Sequence, residues 1–192
     1  MFYSIDNFIE LKKITDNYLQ IISELKKAGE LEIVQKFHTC KPGTPLSEHI
    51  GYWARESSIS PEQIGYAEDD VAIVALPLFK KGFKVHLFDV AQTFPFLYQL
   101  LEKIPGVNFA AFFRLAPGDE VLEHAHSMNN LILHLCLTDL DGDAIITCNG
   151  EKRILRNAGD NCMFDYSKPH SSINHSSIER INLVIDFTPE NN

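Results

Sequence analysis

The chain has 192 residues, of which 45% are hydrophobic and 22% charged, a composition typical of one soluble globular domain with a full core. Its formal net charge of -9 and pI near 5.3 argue against nucleic acid or an anionic membrane as a partner, because both would repel it at long range. No secretory signal pattern and no apolar run long enough for a bilayer are found, so we expect a cytoplasmic protein.

The first predicted element is a helix over residues 5–28, where apolar residues recur every three or four positions. Ser4 or Asp6 can cap its start, and Gly29 follows its last apolar position. Residues 38–70 are rich in proline and glycine, which predicts a loop that acts either as a lid or as a solvated connector. We therefore expect one domain over 1–192, with a helical and loop region before the main core.

Short runs of branched and aromatic residues predict strands at 71–79 and 84–90. A helix is predicted at 94–104, with Thr93 as its cap and Pro95 in its first turn. From there on the pattern predicts only strands, in the runs VNFAAFFRLA, EVLEHAH, LILHLCLTD, AIITCNG, EKRILR, NCMFDYS, HSSINHS and RINLVIDF.

Asn149-Gly150 lies between two alternating runs and is the strongest hairpin signal in the chain. Helices in the first half and eight short strands in the second predict an α+β protein with a sandwich, jelly roll or small barrel as its core. The cysteines form no CxxC pair, so we expect free thiols in a reducing cytosol. They are Cys40, Cys136, Cys148 and Cys162.

Histidines in the predicted strands are candidates for a metal site. His124 and His126 share one strand face, His134 lies in the next predicted strand, and His170 ends the run FDYSKPH. A non-haem iron site uses two imidazoles, often with a carboxylate, and leaves its opposite face open to substrate. No functional role is assigned to His38, His49 and His86.

The last predicted strand has one apolar face and one polar face. Arg180, Asn182, Val184 and Asp186 share the polar face, which would line the interior of a barrel. An inward arginine is costly unless an anion meets it. The anion can be a ligand, or the carboxylate of Asp186 or Asp165 in an internal salt bridge.

Several short motifs follow one another in the second half of the chain. They are Leu115-Ala116-Pro117-Gly118, His124, His134-Leu135-Cys136-Leu137, Phe164-Asp165-Tyr166-Ser167-Lys168-Pro169-His170 and Arg180. Their order and spacing resemble the aspartyl/asparaginyl β-hydroxylase family of iron(II)- and 2-oxoglutarate-dependent dioxygenases, and the upstream FPFLYQLLEKIPGVNFA resembles the family's helix and Ile-Pro-Gly turn. The resemblance covers 71–187. It implies a double-stranded β-helix (jelly-roll, cupin-like) core flanked by N-terminal helices.

The resemblance implies a role for each of four residues. His124 and His170 fall on the two iron-binding histidines, so they are the predicted catalytic and metal residues. Arg180 falls on the arginine that pairs with the distal carboxylate of 2-oxoglutarate, a bidentate role that suits a guanidinium. His134 falls on the histidine that helps to hold the same cosubstrate. An anionic cosubstrate also explains why an arginine faces inward.

Two positions depart from the family's pattern. Members commonly have an arginine two residues before the histidine of the His-Leu-x-Leu motif, which is His134 here. Ile132 takes that place in this chain, so cosubstrate binding should depend more on Arg180 and His134. Its best-known members have glycine where this chain has His126, and the spacing from His124 to His134 is one residue shorter than expected. His126 is a third metal ligand, a pocket residue beside the metal or substrate, or a turn residue facing solvent.

The resemblance thus implies an Fe(II)- and 2-oxoglutarate-dependent dioxygenase that hydroxylates an unactivated C–H of a small amino-acid-like substrate or an amino-acid residue. One alternative is a cupin-like metal or small-molecule binding protein, which Ile132 favours. Another is a three-histidine dioxygenase that does not use 2-oxoglutarate. We expect a small-molecule or amino-acid partner, whereas substrate identity and oligomeric state cannot be inferred from the sequence.

Overall fold

The computed structural model describes residues 1–29, 73–82, 89–127 and 129–189. The predicted lid or connector at 38–70 and most of the strand predicted at 84–90 lie outside these residues, as do His38, His49 and His86. The organisation into a single domain stays a prediction.

The helix predicted over 5–28 is present in three pieces. They are a 3-10 turn at Ile5–Asn7, α1 at Ile9–Asp16 and α2 at Tyr18–Ala28. Ser4 caps the turn, since its Oγ accepts the backbone N–H of Asp6 at 3.3 Å. The helix breaks at Asn17, whose side-chain amide donates to the carbonyl of Lys13 at 2.7 Å and competes with the backbone for that acceptor. Gly29 ends α2, as predicted.

The described residues also form two further helices, both before the run of strands that begins at Val107. They are α3 at Val90–Thr93 and α4 at Pro95–Lys103. The prediction that Thr93 caps α4 is wrong, because Thr93 ends α3 and the N-cap position belongs to Phe94, which makes no capping bond with its side chain. The free N–H groups of Phe96 and Leu97 instead donate to the carboxylate of Glu24 on α2, at 2.8 and 3.1 Å. A cap supplied by another helix leaves no local pattern to detect.

Ten strands are formed by the described residues. They are β1 Phe2–Tyr3, β2 Ile73–Lys80, β3 Val107–Leu115, β4 Glu120–His124, β5 Leu131–Cys136, β6 Ala144–Cys148, β7 Glu151–Leu155, β8 Asn161–Asp165, β9 His170–Asn174 and β10 Arg180–Phe187. Each strand predicted from residue 107 onward is confirmed, with ends that move by a few residues. The hairpin at Asn149-Gly150 is confirmed as well. Both residues have positive φ, 49° and 79°, as its tight turn requires.

The strands form two antiparallel sheets. One has the order β1-β8-β5-β10-β3-β2 and the other β4-β9-β6-β7. Strands distant in sequence are therefore neighbours, with β10 paired to both β3 and β5, and β4 paired to β9. This is the α+β fold with a cupin-like jelly-roll core that was predicted.

The two faces of β10 serve two different layers. Leu183 and Ile185 are fully buried on the face where the helices pack, and Leu183 lies opposite Phe112 of β3. The ring of Phe94, just before α4, meets that of Phe112 edge-on at 5.3 Å. Arg180 and the rest of the polar face point to the second sheet, so the alternation in the sequence places polar groups inside the sandwich.

Two chain-wide expectations also bear on the fold. Cys136, Cys148 and Cys162 are free and buried, while Cys40 lies outside the described residues. Within the described part of the chain, no helix has the length and apolar character needed to cross a bilayer.

Candidate active site

Three histidines come together at one end of the smaller sheet. His124 ends β4 and His170 begins β9, and the two residues are direct partners across this strand pair. His126 follows β4 by two residues and completes the cluster. Each histidine offers one ring nitrogen, and the three nitrogens lie within 4.8 Å of one another. Strand pairing thus joins groups that are 46 residues apart in sequence, the difference between positions 124 and 170.

Two of these imidazoles are held in the tautomer that leaves Nε2 free to bind a metal. His124 Nδ1 lies 2.8 Å from the carbonyl of Leu122, and His170 Nδ1 lies 2.7 Å from that of Lys168. A carbonyl only accepts, so each Nδ1 carries the proton and the neutral ring keeps a lone pair on Nε2. Burial, aided by repulsion from His124, lowers the pKa of His170 to about 4, so it is neutral at physiological pH.

His126 does not face solvent. Its ring stacks on Tyr166, with centroids 3.8 Å apart and planes inclined by 19°, and its backbone N–H donates to the Tyr166 carbonyl at 3.3 Å. Its Nε2 is buried and has no hydrogen-bond partner among the described residues. Burial, followed by repulsion from His124 and His170, lowers the pKa of His126 to about 4. This placement agrees with a third ligand or a pocket residue and disagrees with a solvent-facing turn residue.

A cavity of about 40 Å³ lies between the two sheets at this cluster. Its walls include His124 and His170 from the smaller sheet, and His134, Arg180 and Ile132 from the larger one. The volume exceeds the roughly 10–15 Å³ that one water molecule needs. The structure thus places the four residues singled out by the resemblance around one space.

Arg180 is a buried cation that pairs with no carboxylate of the described residues. It is 3% exposed, its Nη1 donates to Ser172 Oγ at 2.7 Å, and its Nε has no partner among the described residues. The salt bridges considered from the sequence are not formed, since Asp186 accepts from two asparagine amides and Asp165 from Ser167. Burial lowers the pKa of Arg180 to about 10, which still leaves it charged at neutral pH.

His134 lies in the middle of β5, beside the Arg180 end of the cavity. Its ring stacks on Phe164 with centroids 5.6 Å apart, and its Nδ1 lies 3.2 Å from the side-chain amide nitrogen of Asn182. Burial, then the charges of Arg180 and His170, hold the pKa of His134 well below its usual range. His134 is therefore a neutral hydrogen-bonding group and not a second cation.

Ile132 occupies the wall position where the resemblance expects an arginine. It is buried, opposite Phe164 on β8 and Asp186 on β10. Of the cavity-lining residues that the structure describes, Arg180 is the sole arginine. The positive charge available to an anion is thus smaller than the family pattern predicts.

Sequence reasoning did not assign a role to three residues of this site. Ser172 lines the cavity and accepts from Arg180, Tyr166 carries the stacked His126, and Asn182 contacts His134. Strand alternation could have revealed Ser172, which shares a face with His170. The contact between Tyr166 and His126 depends on a loop and had no signal in the sequence.

Comparison with known proteins gives one sequence family and several similar structures. The profile of a family described as aspartyl/asparaginyl beta-hydroxylase matches residues 61–189. No curated protein sequence matches the chain.

The similar structures include three proteins of different kinds. A cupin domain of an XRE-family transcriptional regulator from Enterobacter cloacae is 19% identical, covering 62% of this chain and 98% of its own, with a TM-score of 0.42. A salicylate 1,2-dioxygenase from Pseudaminobacter salicylatoxidans is 14% identical, covering 60% of this chain and 26% of its own, with a TM-score of 0.40. A predicted oxalate decarboxylase from Thermotoga maritima is 24% identical, covering 44% and 69%, with a TM-score of 0.37.

Proposed function

The chain belongs to the aspartyl/asparaginyl β-hydroxylase family, and from that premise we propose that it is an Fe(II)- and 2-oxoglutarate-dependent hydroxylase. Its proposed substrate is a small amino-acid-like molecule or an amino-acid residue, hydroxylated at an unactivated C–H. His124 and His170 are the proposed metal ligands, with His126 as the candidate third. Arg180 and His134 are the proposed cosubstrate-binding residues.

One observation carries the proposal: Arg180 is buried and lacks a described anion partner in the cavity that also holds the histidine cluster. Burying an unpaired charge is strongly unfavourable, so an anionic ligand at this position would offset the cost. A guanidinium fork matches a carboxylate in a bidentate pair. 2-Oxoglutarate has a carboxylate at each end, so one end would pair with Arg180 while the 2-oxo acid end would bind the metal held by the histidines.

The donor atoms of the cluster fit an iron ion. Imidazole nitrogen suits Fe(II), and rings that are neutral and fixed by their other nitrogen are the form that binds metal. When bound, iron and 2-oxoglutarate would supply the oxidising chemistry with O2 as the oxidant: one oxygen atom is taken up as the 2-oxo acid loses carbon dioxide and becomes succinate, and the other enters the substrate as its hydroxyl group. The carbonyls of Leu122 and Lys168 keep two ligand rings in the binding tautomer.

The protein's own residues orient the reactants and keep water away. Arg180, fixed by its bond to Ser172, sets the far end of the cosubstrate. His134 donates a hydrogen bond to a carboxylate oxygen of the same cosubstrate. The apolar side chains of Ile146 and Phe164 line the same cavity and exclude water, which strengthens each of these polar contacts.

The experiment is an anaerobic titration of the Fe(II)-loaded protein with 2-oxoglutarate. We expect the weak visible charge-transfer band of a metal-bound 2-oxo acid, and succinate release once oxygen and a panel of amino acids are added. Arg180→Met should raise the Kd for 2-oxoglutarate about 30-fold or more, since losing one partner of a buried charge pair costs about 2–5 kcal/mol. Arg153→Met, at an exposed arginine on β7, is the matched control.

Ile132 and the third histidine favour a second candidate function. Without the expected arginine, the site could belong to a three-histidine dioxygenase that does not use 2-oxoglutarate, or to a metal or small-molecule binding protein. Fe(II) binding without the band, together with oxygen uptake without succinate, would support the first of these. Fe(II) binding with neither oxygen uptake nor succinate would support the second. Either result contradicts the main proposal.

A further inference from the structure

Asn182 is a fully buried amide whose side chain makes a single hydrogen bond among the described residues. It is 0% exposed and lies on the polar face of β10, two residues from Arg180. Its Nδ2 lies 3.2 Å from His134 Nδ1, and its Oδ1 has no described partner. A buried carbonyl without a partner costs free energy, so an asparagine at this position is expensive unless its bond to His134 matters.

This bond decides which nitrogen of His134 carries the proton. An amide N–H only donates, so His134 Nδ1 must accept and the proton of the neutral ring is on Nε2. If the Asn182 amide were turned so that its oxygen faced His134, Nδ1 would have to carry the proton. Nε2 would then hold a bare lone pair, and this lone pair would repel a carboxylate. In the structure the amide nitrogen of Asn182 is the atom that faces His134 Nδ1, and its Oδ1 is the atom without a described partner.

We propose that Asn182 is a positioning residue that holds His134 as the Nε2–H tautomer, so that this ring donates a hydrogen bond to the carboxylate of a bound 2-oxo acid. The identity of the acceptor rests on the proposed function, whereas the tautomer does not. Asn182 thereby turns a neutral histidine in the cavity wall into an anion-binding group. With Ile132 in place of an arginine, this N–H would supplement the guanidinium of Arg180 in binding the anion.

The tautomer is measured directly by long-range ¹H–¹⁵N NMR of the metal-free, histidine-labelled protein at neutral pH. The His134 signals are identified by their loss in His134→Ala, and the exposed His175 serves as an internal control. We expect protonated Nε2 and bare Nδ1 in the natural protein. Asn182→Asp should reverse this, because a carboxylate only accepts. Protonated Nδ1 in the natural protein, or the same tautomer in Asn182→Asp, overturns the proposal.

The functional arm compares the affinity for 2-oxoglutarate in Fe(II)-loaded variants under anaerobic conditions. Asn182→Leu should raise the Kd for 2-oxoglutarate about 10- to 100-fold, the range for one hydrogen bond to a charged group, and leave Fe(II) affinity unchanged. Cys136→Ala is the matched control. Cys136 lies on β5, is buried and is directly opposite Asn182 in the β5–β10 strand pair, and its thiol donates to the carbonyl of Thr138 rather than to His134. Asn182→Ala replaces the leucine variant if the latter does not fold.

The outcomes separate this inference from the proposed function. If Asn182→Leu binds 2-oxoglutarate as the natural protein does while His134→Ala binds it weakly, the positioning role is wrong and the proposed function stands. If the natural protein does not bind 2-oxoglutarate, the proposed function fails. The role of Asn182 in cosubstrate binding then fails with it, and the NMR result still decides the tautomer.

Discussion

At the scale of single residues, His126 is the side chain whose environment says most about the metal centre. It lies beyond the end of β4, yet the stack on Tyr166 brings its ring to His124 and His170. A buried nitrogen without a partner beside two ligand histidines is where a metal bond would satisfy it. The site is therefore best described by three imidazoles, although strand alternation ends before the third.

The corresponding prediction concerns metal affinity. His126→Ala should weaken Co(II) or Fe(II) binding at least about tenfold, because residues that merely orient a ligand already contribute roughly 10–100-fold. His124→Ala and His170→Ala should abolish binding. The measurement is equilibrium metal titration, with His175→Ala as the control at an exposed histidine. Unchanged affinity in His126→Ala would make it a pocket residue.

At the scale of elements, the strands of the core from Val107 onward follow local rules, and the start of α4 does not. Alternation and turn residues predict every strand from Val107 onward, and the hairpin at Asn149-Gly150 has the backbone that those residues favour. The start of α4 depends on Glu24, which is distant in sequence. The short β1 likewise exists only because Phe2 pairs with Phe164 of β8. Contacts of this kind have no periodicity and cannot be inferred locally.

The cap at α4 gives a prediction for stability. Glu24→Ala should lower the free energy of unfolding by about 1–2 kcal/mol, since it removes the acceptor for two helix N–H groups and a negative charge at a helix N-terminus. Glu24→Gln keeps one acceptor oxygen and should lose less. Chemical denaturation measures both. Glu10→Ala, at an exposed carboxylate paired with Lys13, is the control and should change stability by less than about 0.5 kcal/mol. Equal losses in both alanine variants would contradict the remote cap.

The loop before β6 is tied to the loop before β10 by Asp141. Its carboxylate accepts from the hydroxyl of Ser176 at 2.6 Å and from the backbone N–H of Ser177 at 2.8 Å, and it also bonds the Ser177 hydroxyl. These hydrogen bonds, that of Ser176 first, lower the pKa of Asp141 from 3.8 to about 2. Because its pKa is lower in the folded protein, folding favours the ionised form of Asp141.

Asp141 therefore contributes stability above about pH 4, and this contribution is lost as pH falls from 4 towards 2. The difference in unfolding free energy between the natural protein and Asp141→Asn should shrink over that interval. Denaturant unfolding at several pH values measures it, with Glu120→Gln as the control at an exposed carboxylate on β4. A difference that stays constant down to pH 2 would show that Asp141 does not link these loops.

At the scale of the whole molecule, the metal site and the fold support each other. The proposed ligand residues belong to β4, β9 and the segment after β4, and the proposed anion-binding residues belong to the opposite sheet. These residues come together only when the strands pair, so the ligand set exists only in the folded state. Metal binding by this set would therefore stabilise the fold.

We expect Co(II) at 100 times its Kd to stabilise the protein by about 2.7 kcal/mol, seen as a higher Tm that a chelator reverses. His170→Ala should show no such increase, whereas His175→Ala should show the full increase. Thermal unfolding followed by circular dichroism, with and without metal, provides the measurement. A metal-dependent rise in Tm that persists in His170→Ala would place the metal elsewhere.

The sequence by itself determined the layers of this protein and the faces of its strands. Polar and apolar residues alternate along β10, so the direction in which Arg180, Asn182 and Asp186 point follows from the geometry of a strand. The motif order also sufficed to name the family and to select His124, His134, His170 and Arg180. Strand alternation is a local feature and motif order depends only on the sequence, so both can be recognised without knowledge of the fold.

Only the tertiary structure decided which of those residues meet. In the folded chain, Arg180 has no carboxylate partner among the described residues. The ring of His126 stacks on Tyr166, and the amide of Asn182 contacts His134. Each of these contacts joins segments at least 40 residues apart, the separation of positions 126 and 166. They arise from strand pairing and packing between sheets, which bring distant residues together by geometry that no local pattern encodes.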